Sequence, residues 1–367
     1  MSDPKVIVHG CGYTGKLAAE YVARRNIPFI FLGRNPEKLE ASMKLIEERL
    51  GRNSGGQIAV AENTKEALLP IFEKAEVVIN TVGPFMQLGG PVVEACLEGG
   101  CHYLDTTGEQ DWGLLCQEKW GQAFADKGLL ISPANSFMWC AGALVSEAML
   151  ETDGIDTLEI IYDIHNALPS VGSSRSFLRM VTEPQYYLEQ NELVAWPKDE
   201  VFTRVVPNKP APILTLPWSG GFEPIWFKDD HRVRTCKVLT GFGDQMMMDV
   251  VALIKQIHNE SANLSAEEKE RMTNDMGDDI SSGEPDKDDM DVQRSYIACY
   301  GSGRQISKQL VLSLAAPYQF TGQISAQAAE LLINGQLNNP GFQSAPQAFG
   351  HKVLLDKFNE MGYTDIN

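Results

Sequence analysis

Along the first 135 residues, short runs of β-branched and aromatic side chains alternate with longer stretches whose apolar residues recur at helical spacing. Lys5–His9, Phe29–Leu32, Gln57–Val60, Glu76–Thr81, His102–Leu104 and Leu129–Ser132 are expected to be strands. Several are apolar nearly throughout, as strands buried on both faces are. The stretches between them carry helix ends. In the second, Asn35 can cap, Pro36 suits the first turn, Leu39, Met43, Ile46 and Leu50 fall on one face, and Gly51 stops it. The alternation predicts an α/β fold, with a doubly wound parallel Rossmann sheet over residues 1–138.

From about residue 140 the pattern changes. Thr157–His165 alternates like a strand, with Glu159, Ile161, Asp163 and His165 on one face and Leu158, Ile160, Tyr162 and Ile164 on the other. A helix is expected to start at Ser173 or Ser174. Val201–Val206, Ile213–Leu216, Glu223–Phe227 and Arg232–Leu239 read as strands between Pro and Gly turns. A helix over 244–258 and a hairpin of Arg294–Tyr300 with Gln305–Leu314 follow. Residues 139–335 thus predict an α+β substrate or dimerisation domain with an antiparallel sheet. Helices over Thr321–Ile333 and Pro346–Met361 finish the chain, the second expected to pack back on the Rossmann domain.

Charge changes this picture in one place. The 49 acidic residues outnumber the 31 Lys and Arg, a net −18, and a nucleic-acid groove needs a basic face, so that partner is excluded. Half of the excess lies in residues 260–291, where twelve acids meet three bases. This segment is read as a mobile, hydrated excursion with a helix-like start, ANLSAEEKERM; no calcium loop can be laid on it. No apolar run reaches the roughly 18 residues of a spanning helix, and Met1–Pro4 is too short for a signal sequence ahead of the first apolar run. A cytoplasmic chain without a transmembrane segment is expected. The seven cysteines are scattered, without a C-x-x-C pair or a His at ligand spacing, which predicts reduced thiols and no metal.

Directly after the first strand, Gly10, Gly12 and Gly15 form G-x-G-x-x-G in HGCGYTG, opening a helix. Gly10 permits the tight turn, Gly12 lets a pyrophosphate approach the backbone, Gly15 allows close helix packing, and the helix N-terminus offers N–H groups. An NAD site places an acid at the end of the second strand for the ribose 2′-OH; here Gly33, Arg34 and Asn35 stand instead, and a guanidinium suits a 2′-phosphate. NADP(H) is the expected cofactor. The fourth strand ends in Asn80, Thr81, Val82, Gly83 and Pro84, where the nicotinamide half should run. In HYLDTTGE, Asp105, Thr106 and Glu109 reach the end of the next strand, as ligand contacts or as cap and turn residues.

Together GCGYTG, GRNPEKL, NTVGPF and CLEGGCHYLDTTGE, with PYQFT and GFQSAPQAFGHKVLLDKF near the end, resemble the saccharopine dehydrogenase-like reductases, including the trans-acting enoyl reductases. The resemblance implies a nicotinamide dinucleotide held by Gly10, Cys11, Gly12, Tyr13, Thr14, Gly15, Arg34, Asn80, Thr81, Gly83 and Pro84. Many relatives carry a one-residue-longer GATGYTG loop. The middle of the chain matches only loosely: VGSSRSFLRM lacks the family's Gly-Gly-Thr.

Hydride transfer calls for a nearby acid or donor, and none stands out. Glu109, His165, Ser173, Ser174 and Ser176 are candidate substrate contacts; Tyr186, Tyr187 and His231 are further donors, and Tyr162 falls on the core face. Aromatics and methionines crowd Phe137–Trp139, Trp218, Phe222–Phe227 and Met246–Met248, as a large apolar pocket, an inter-domain core or a homodimer face. The arginines of this region are dispersed rather than clustered for a dicarboxylate. The expected activity is NADPH-dependent reduction of a conjugated C=C bond in a small hydrophobic substrate. Carbonyl or imine reduction of the saccharopine type and a non-catalytic NADP-binding scaffold are the alternatives.

Overall fold

The computed structural model describes residues 3–207, 209–279 and 283–367. Its strands are β1 (Val6–His9), β2 (Phe29–Gly33), β3 (Gly56–Val60), β4 (Val77–Asn80), β5 (His102–Asp105), β6 (Leu130–Ser132), β7 (Thr157–His165), β8 (Tyr186–Glu189), β9 (Glu192–Ala195), β10 (Phe202–Arg204), β11 (Ile213–Thr215), β12 (Thr235–Gly241), β13 (Arg294–Ser302), β14 (Ser307–Ala315), β15 (Gly341–Phe342) and β16 (Thr364–Ile366). The chain divides into two compact units. One holds the chain up to Thr107, Trp112–Phe137 and Tyr318–Gly350; the other holds Gly108–Asp111, Met138–Pro317 and His351–Asn367.

The first unit is built on an all-parallel sheet in the order β15-β6-β5-β4-β1-β2-β3. Every residue of VIVH, FIFLG and VVIN is buried, because helices cover both faces. The strand order reverses between β1 and β4, the point at which doubly wound sheets bind ligands beyond their carboxyl ends. The helix Pro36–Leu50 has the predicted ends: the Asn35 side chain accepts from the Lys38 N–H, and Gly51 closes it at φ 66°. One strand escaped the sequence pattern. Gly341–Phe342 pairs with β6 from some 200 residues away, where the periodicity reads only a Gly turn.

The second unit carries a seven-stranded sheet in the order β16-β14-β13-β7-β12-β8-β9. β7 pairs antiparallel with β13 along its whole length but parallel with β12, so the sheet is mixed rather than purely antiparallel. Three expectations are corrected here. Glu223–Trp226 is a helical turn with Pro224 at its start, where the aromatic run suggested a strand. Pro346–Met361 is interrupted at Gly350 (φ 92°): Ala345–Phe349, closed by a Ser344/Gln347 capping box, ends the first unit, and His351–Glu360 belongs to the second and leads into β16 against β14.

The third correction concerns the acidic segment. Ala266–Asp278 is a helix opened by a Ser265/Glu268 capping box, and its Met272 and Met276 pack against the core of Leu178, Val181 and Ile257. The charges occupy the other face, and the helix-like start expected at ANLSAEEKERM thus runs on to Asp278, further than the sequence pattern indicated, while residues 283–289 after it form neither helix nor strand. Ile280, Ser281 and Ser282 of that segment lie outside the described residues, as do Met1, Ser2 and Asn208. Each of the seven cysteines is a free thiol, and among the described residues no group of three His, Cys, Asp or Glu could hold a metal. No helix among them is long and apolar enough to cross a membrane.

Candidate functional site

At the carboxyl edge of the parallel sheet the main chain makes the site. Gly10 has φ 105°, and a Cβ there would lie 2.5 Å from Thr81 Oγ1, which itself donates to the His9 carbonyl at 2.9 Å. A Cβ on Gly15 would run into the Gly10 carbonyl, so the helix Tyr13–Arg24 starts hard against the turn. Gly12 differs: a Cβ there would meet nothing within 4 Å, and no side chain caps the helix at this residue. The turn is thus closed behind by Gly10 and Gly15 and open in front at Gly12, which fits a pyrophosphate. Tyr13 is buried with its ring edge-on to Tyr318 at 5.0 Å, whereas Cys11 and Thr14 remain partly accessible. Burial raises the Cys11 thiol, so it stays protonated.

At the end of β2, Gly33 is buried against Leu39, and Arg34 and Asn35 are exposed. Asn35 is held as a helix cap; Arg34 is the cation presented there. At the end of β4, Asn80 is wholly buried. Its Nδ2 donates to Tyr103 Oη at 3.2 Å and its Oδ1 accepts from the Val82 N–H at 3.1 Å, so it shapes the turn that leads through Val82 to exposed Gly83 and buried Pro84. Burial holds the neighbouring His9 at about 4, with Asn80 opposing and Arg34 adding to the shift.

Asp105, which could have met a ligand, is fully buried and accepts four hydrogen bonds, from the Thr107 and Ala134 N–H groups, Tyr103 Oη and Trp112 Nε1. Burial pushes its carboxyl up to about 6 against all four. It is a turn-forming residue.

In the second unit, Glu109 and Ser176 are brought together: Ser176 Oγ donates to Glu109 Oε1 at 2.9 Å. Arg179, which sequence reasoning passed over as a substrate contact, completes the group. Its Nε donates to Glu109 at 2.9 Å, and its two terminal nitrogens form a fork on Asp111 at 2.9 and 2.6 Å. Burial works against the guanidinium charge, and Glu109 and Asp111 more than restore it. A signal was present in the sequence: Ser176 and Arg179 are three apart and share one helix face. Ser173 is exposed and bonded to the capping Ser170, and Ser174 is only partly buried. His165 is held elsewhere, 2.8 Å from Asp163, which also pairs with Lys209 at 2.9 Å.

A buried acid that the pattern assigned to a strand lies beneath β7. Tyr162 Oη lies 2.8 Å from Glu223 Oε1 and accepts from the Gly142 N–H at 2.6 Å; burial pushes Glu223 up to about 8. Tyr162 is a core residue, as its strand face predicted.

Residues 6–125 match the family model for the saccharopine dehydrogenase NADP binding domain, and residues 140–365 match that of a family of unknown function, DUF5938. The human saccharopine dehydrogenase-like oxidoreductase is 33% identical over 144 residues, 36% of this chain and 34% of that protein. The trans-acting enoyl reductase of Mycobacterium ulcerans (strain Agy99) is 33% identical over 110 residues, 29% of this chain and 25% of that protein. The chain therefore spans no more than 34% of the length of these curated relatives. The apo saccharopine dehydrogenase (L-Glu forming) of Saccharomyces cerevisiae superposes with a TM-score of 0.64 over 99% of both chains at 10% identity, which shows a shared fold. The resemblance carried by the motifs holds, and NADP(H) is the dinucleotide of the first unit. With residues 140–365 matched, the chain belongs to the family of unknown function DUF5938, its second unit preceded by a saccharopine dehydrogenase NADP binding domain.

Proposed function

We propose that the protein is an NADPH-dependent reductase of a conjugated C=C bond in a hydrophobic substrate. The observation that carries the substrate class is the state of the five arginines from Arg175 to Arg234. Arg175 pairs with Asp278 at 2.7 Å, Arg179 with Glu109 and Asp111, Arg204 with Glu159 at 2.8 Å, Arg232 with Glu147 and Asp230 at 2.9 and 2.6 Å, and Arg234 with Asp156 at 3.5 Å. Each guanidinium is already matched by an acid of the chain, so a dicarboxylate amino acid of the saccharopine type finds no uncommitted fork among them. That favours an uncharged, apolar molecule.

On this reading Gly12 and the helix start receive the pyrophosphate, Arg34 reads the 2′-phosphate, and the turn from Val82 to Pro84 lies along the nicotinamide half. NADPH, when bound, supplies the hydride. The test is oxidation of NADPH against benzylideneacetone (an enone), benzylacetone (its saturated ketone) and a cyclic imine. The enone alone should be consumed, and Arg34→Ala should weaken NADPH by roughly tenfold to a hundredfold while leaving NADH unchanged. Turnover of the imine or the ketone in its place removes the C=C reading. Tight NADPH binding with no oxidation of any of the three returns the chain to a scaffold role.

A further inference from the structure

The helix Pro317–Ile333 lies outside the residues 6–125 matched to the NADP binding domain, yet from Tyr318 onward it belongs to the first unit. We propose that Tyr318 is a positioning residue of the dinucleotide site. Its ring braces Tyr13, and through Tyr13 it holds the main chain at Gly12 and the start of the helix Tyr13–Arg24 in the form that receives the pyrophosphate. This rests on the reading of the Gly10–Gly15 turn given above and is independent of which bond of a substrate is reduced.

The two helices run side by side in the same direction. Tyr13 meets Tyr318, Leu17 lies against Gly322, and Arg25, just past the end of its helix, reaches Gln327 and Glu330, each at 3.4 Å, so the partners advance together along both. Tyr21 Oη donates to Gln319 Oε1 at 2.7 Å. Gly322 permits the close approach: a Cβ there would lie 2.7 Å from the Tyr21 ring and 3.1 Å from the Leu17 main chain. Elsewhere along its length the second helix is fastened to the segment after β6, where the Phe137 N–H donates to Thr321 Oγ1 at 3.0 Å and Ser325 Oγ to the Asn135 carbonyl at 3.1 Å. Parallel packing in this register sets the first turns of both helices next to each other. Tyr318 is thus carried to the Gly-rich turn by a helix fixed along its length.

The turn has use for such a brace. Tyr13 is the first residue of its helix, where the N–H groups have no partner within the helix, and no side chain caps that end at Gly12. With open space in front of Gly12, this side of the turn is held through Tyr13. The Tyr13 ring is buried and stands edge-on to Tyr318, with centroids 5.0 Å apart and planes at 85°, a favoured arrangement of two aromatic rings. An anion site fixed before its ligand arrives loses less affinity to ordering. Arg34 faces the 2′-phosphate that only NADPH carries, whereas the pyrophosphate is common to NADPH and NADH. A brace at the pyrophosphate therefore strengthens both cofactors equally.

The experiment titrates the full chain with NADPH, NADH and adenosine 2′-phosphate, which carries the group met by Arg34 but no pyrophosphate. Tyr318→Ala should weaken NADPH and NADH by the same factor, about three- to tenfold, and leave adenosine 2′-phosphate unchanged. Tyr318→Leu takes its place should the alanine variant not fold. Tyr318→Phe, which keeps the ring, should stay within about twofold of wild type. In a Tyr13→Ala background the loss of the Tyr318 ring should cost nothing further, since it acts through Tyr13. Wild-type affinity without the Tyr318 ring, an equal loss of all three ligands, a phenylalanine variant as weak as the alanine one, or additive losses with Tyr13→Ala would overturn the assignment. The two readings fail separately. NADPH binding that survives Gly12→Val removes the pyrophosphate from the turn, and with it the reading above; binding lost in Gly12→Val but intact in Tyr318→Ala removes only the role of Tyr318.

Discussion

The two units meet the same demand, to present polar groups at a largely apolar framework, with different materials. In the first the main chain does the work: three glycines within six residues set a turn whose closed back and open front are defined by what a Cβ would strike. In the second, side chains do it, in groups whose members lie far apart in sequence: Glu109 with Ser176 and Arg179, Glu223 with Tyr162. A main-chain site is sensitive to volume and indifferent to charge. A side-chain site is the reverse.

The sharpest way to break that contrast is a pair of valines in the first unit. Gly15→Val drives a side chain into the Gly10 carbonyl and should cost more than about 4 kcal/mol, the range of severe overpacking and backbone displacement. Gly12→Val enters open space and should leave the urea midpoint near wild type while abolishing NADPH binding by fluorescence titration. If both variants lose stability alike, the front of the turn is not open, and the distinction between closed and open glycines fails.

Next in size is the charge test in the second unit. Arg179→Ala leaves Glu109, wholly buried, with Ser176 as its remaining named donor and should cost about 3–5 kcal/mol in chemical denaturation. Arg179→Met together with Glu109→Gln should recover a large part of this, because no buried charge is then left unmatched. A single variant that loses less than about 1 kcal/mol would mean that water reaches Glu109 and that the group behaves as a surface pair.

This division of materials also explains what could be read before the fold was known. The Gly10–Gly15 turn, the Asn35 cap and Arg34 at the end of β2 announce themselves within a few residues, because backbone geometry constrains its own neighbours. So do β7 and the β13–β14 hairpin, whose alternation is local. The pairing of Glu109 with Arg179 spans 70 residues and that of Tyr162 with Glu223 spans 61, and no periodicity carries such information. Glu223 shows the cost most plainly. The run FEPIWF is as aromatic as a strand, and only Pro224, a residue suited to the first turn of a helix, argues otherwise. The parallel pairing of β12 with β7 was hidden for the same reason, since register between distant strands is settled by packing.

The smallest predicted effect compares the two buried acids directly. Burial raises Asp105 of the first unit from 3.8 to about 6 and Glu223 of the second from 4.5 to about 8; four hydrogen bonds restrain the first, and fewer, from Tyr162 and main-chain N–H groups, restrain the second. In either case the unfolded chain releases its proton at lower pH than the folded one. Stability is therefore fully present below the unfolded value and falls as pH rises toward the folded value. His9, held at about 4 rather than 6.5, has the opposite slope, gaining stability as pH rises between those values. Below pH 6.5 the three overlap; between 6.5 and about 8 only Glu223 of the three still holds a proton that the unfolded chain has lost. Across that window wild type should lose about 1.4 kcal/mol per pH unit at most from this group, and Glu223→Gln, which keeps a neutral group of the same shape beside Tyr162, should flatten the slope. Urea denaturation of both proteins at three pH values in that window measures the difference. Parallel pH profiles would show that Glu223 is ionised in the folded chain, with Tyr162 and the main-chain N–H groups of its helical turn sufficient to hold a buried carboxylate.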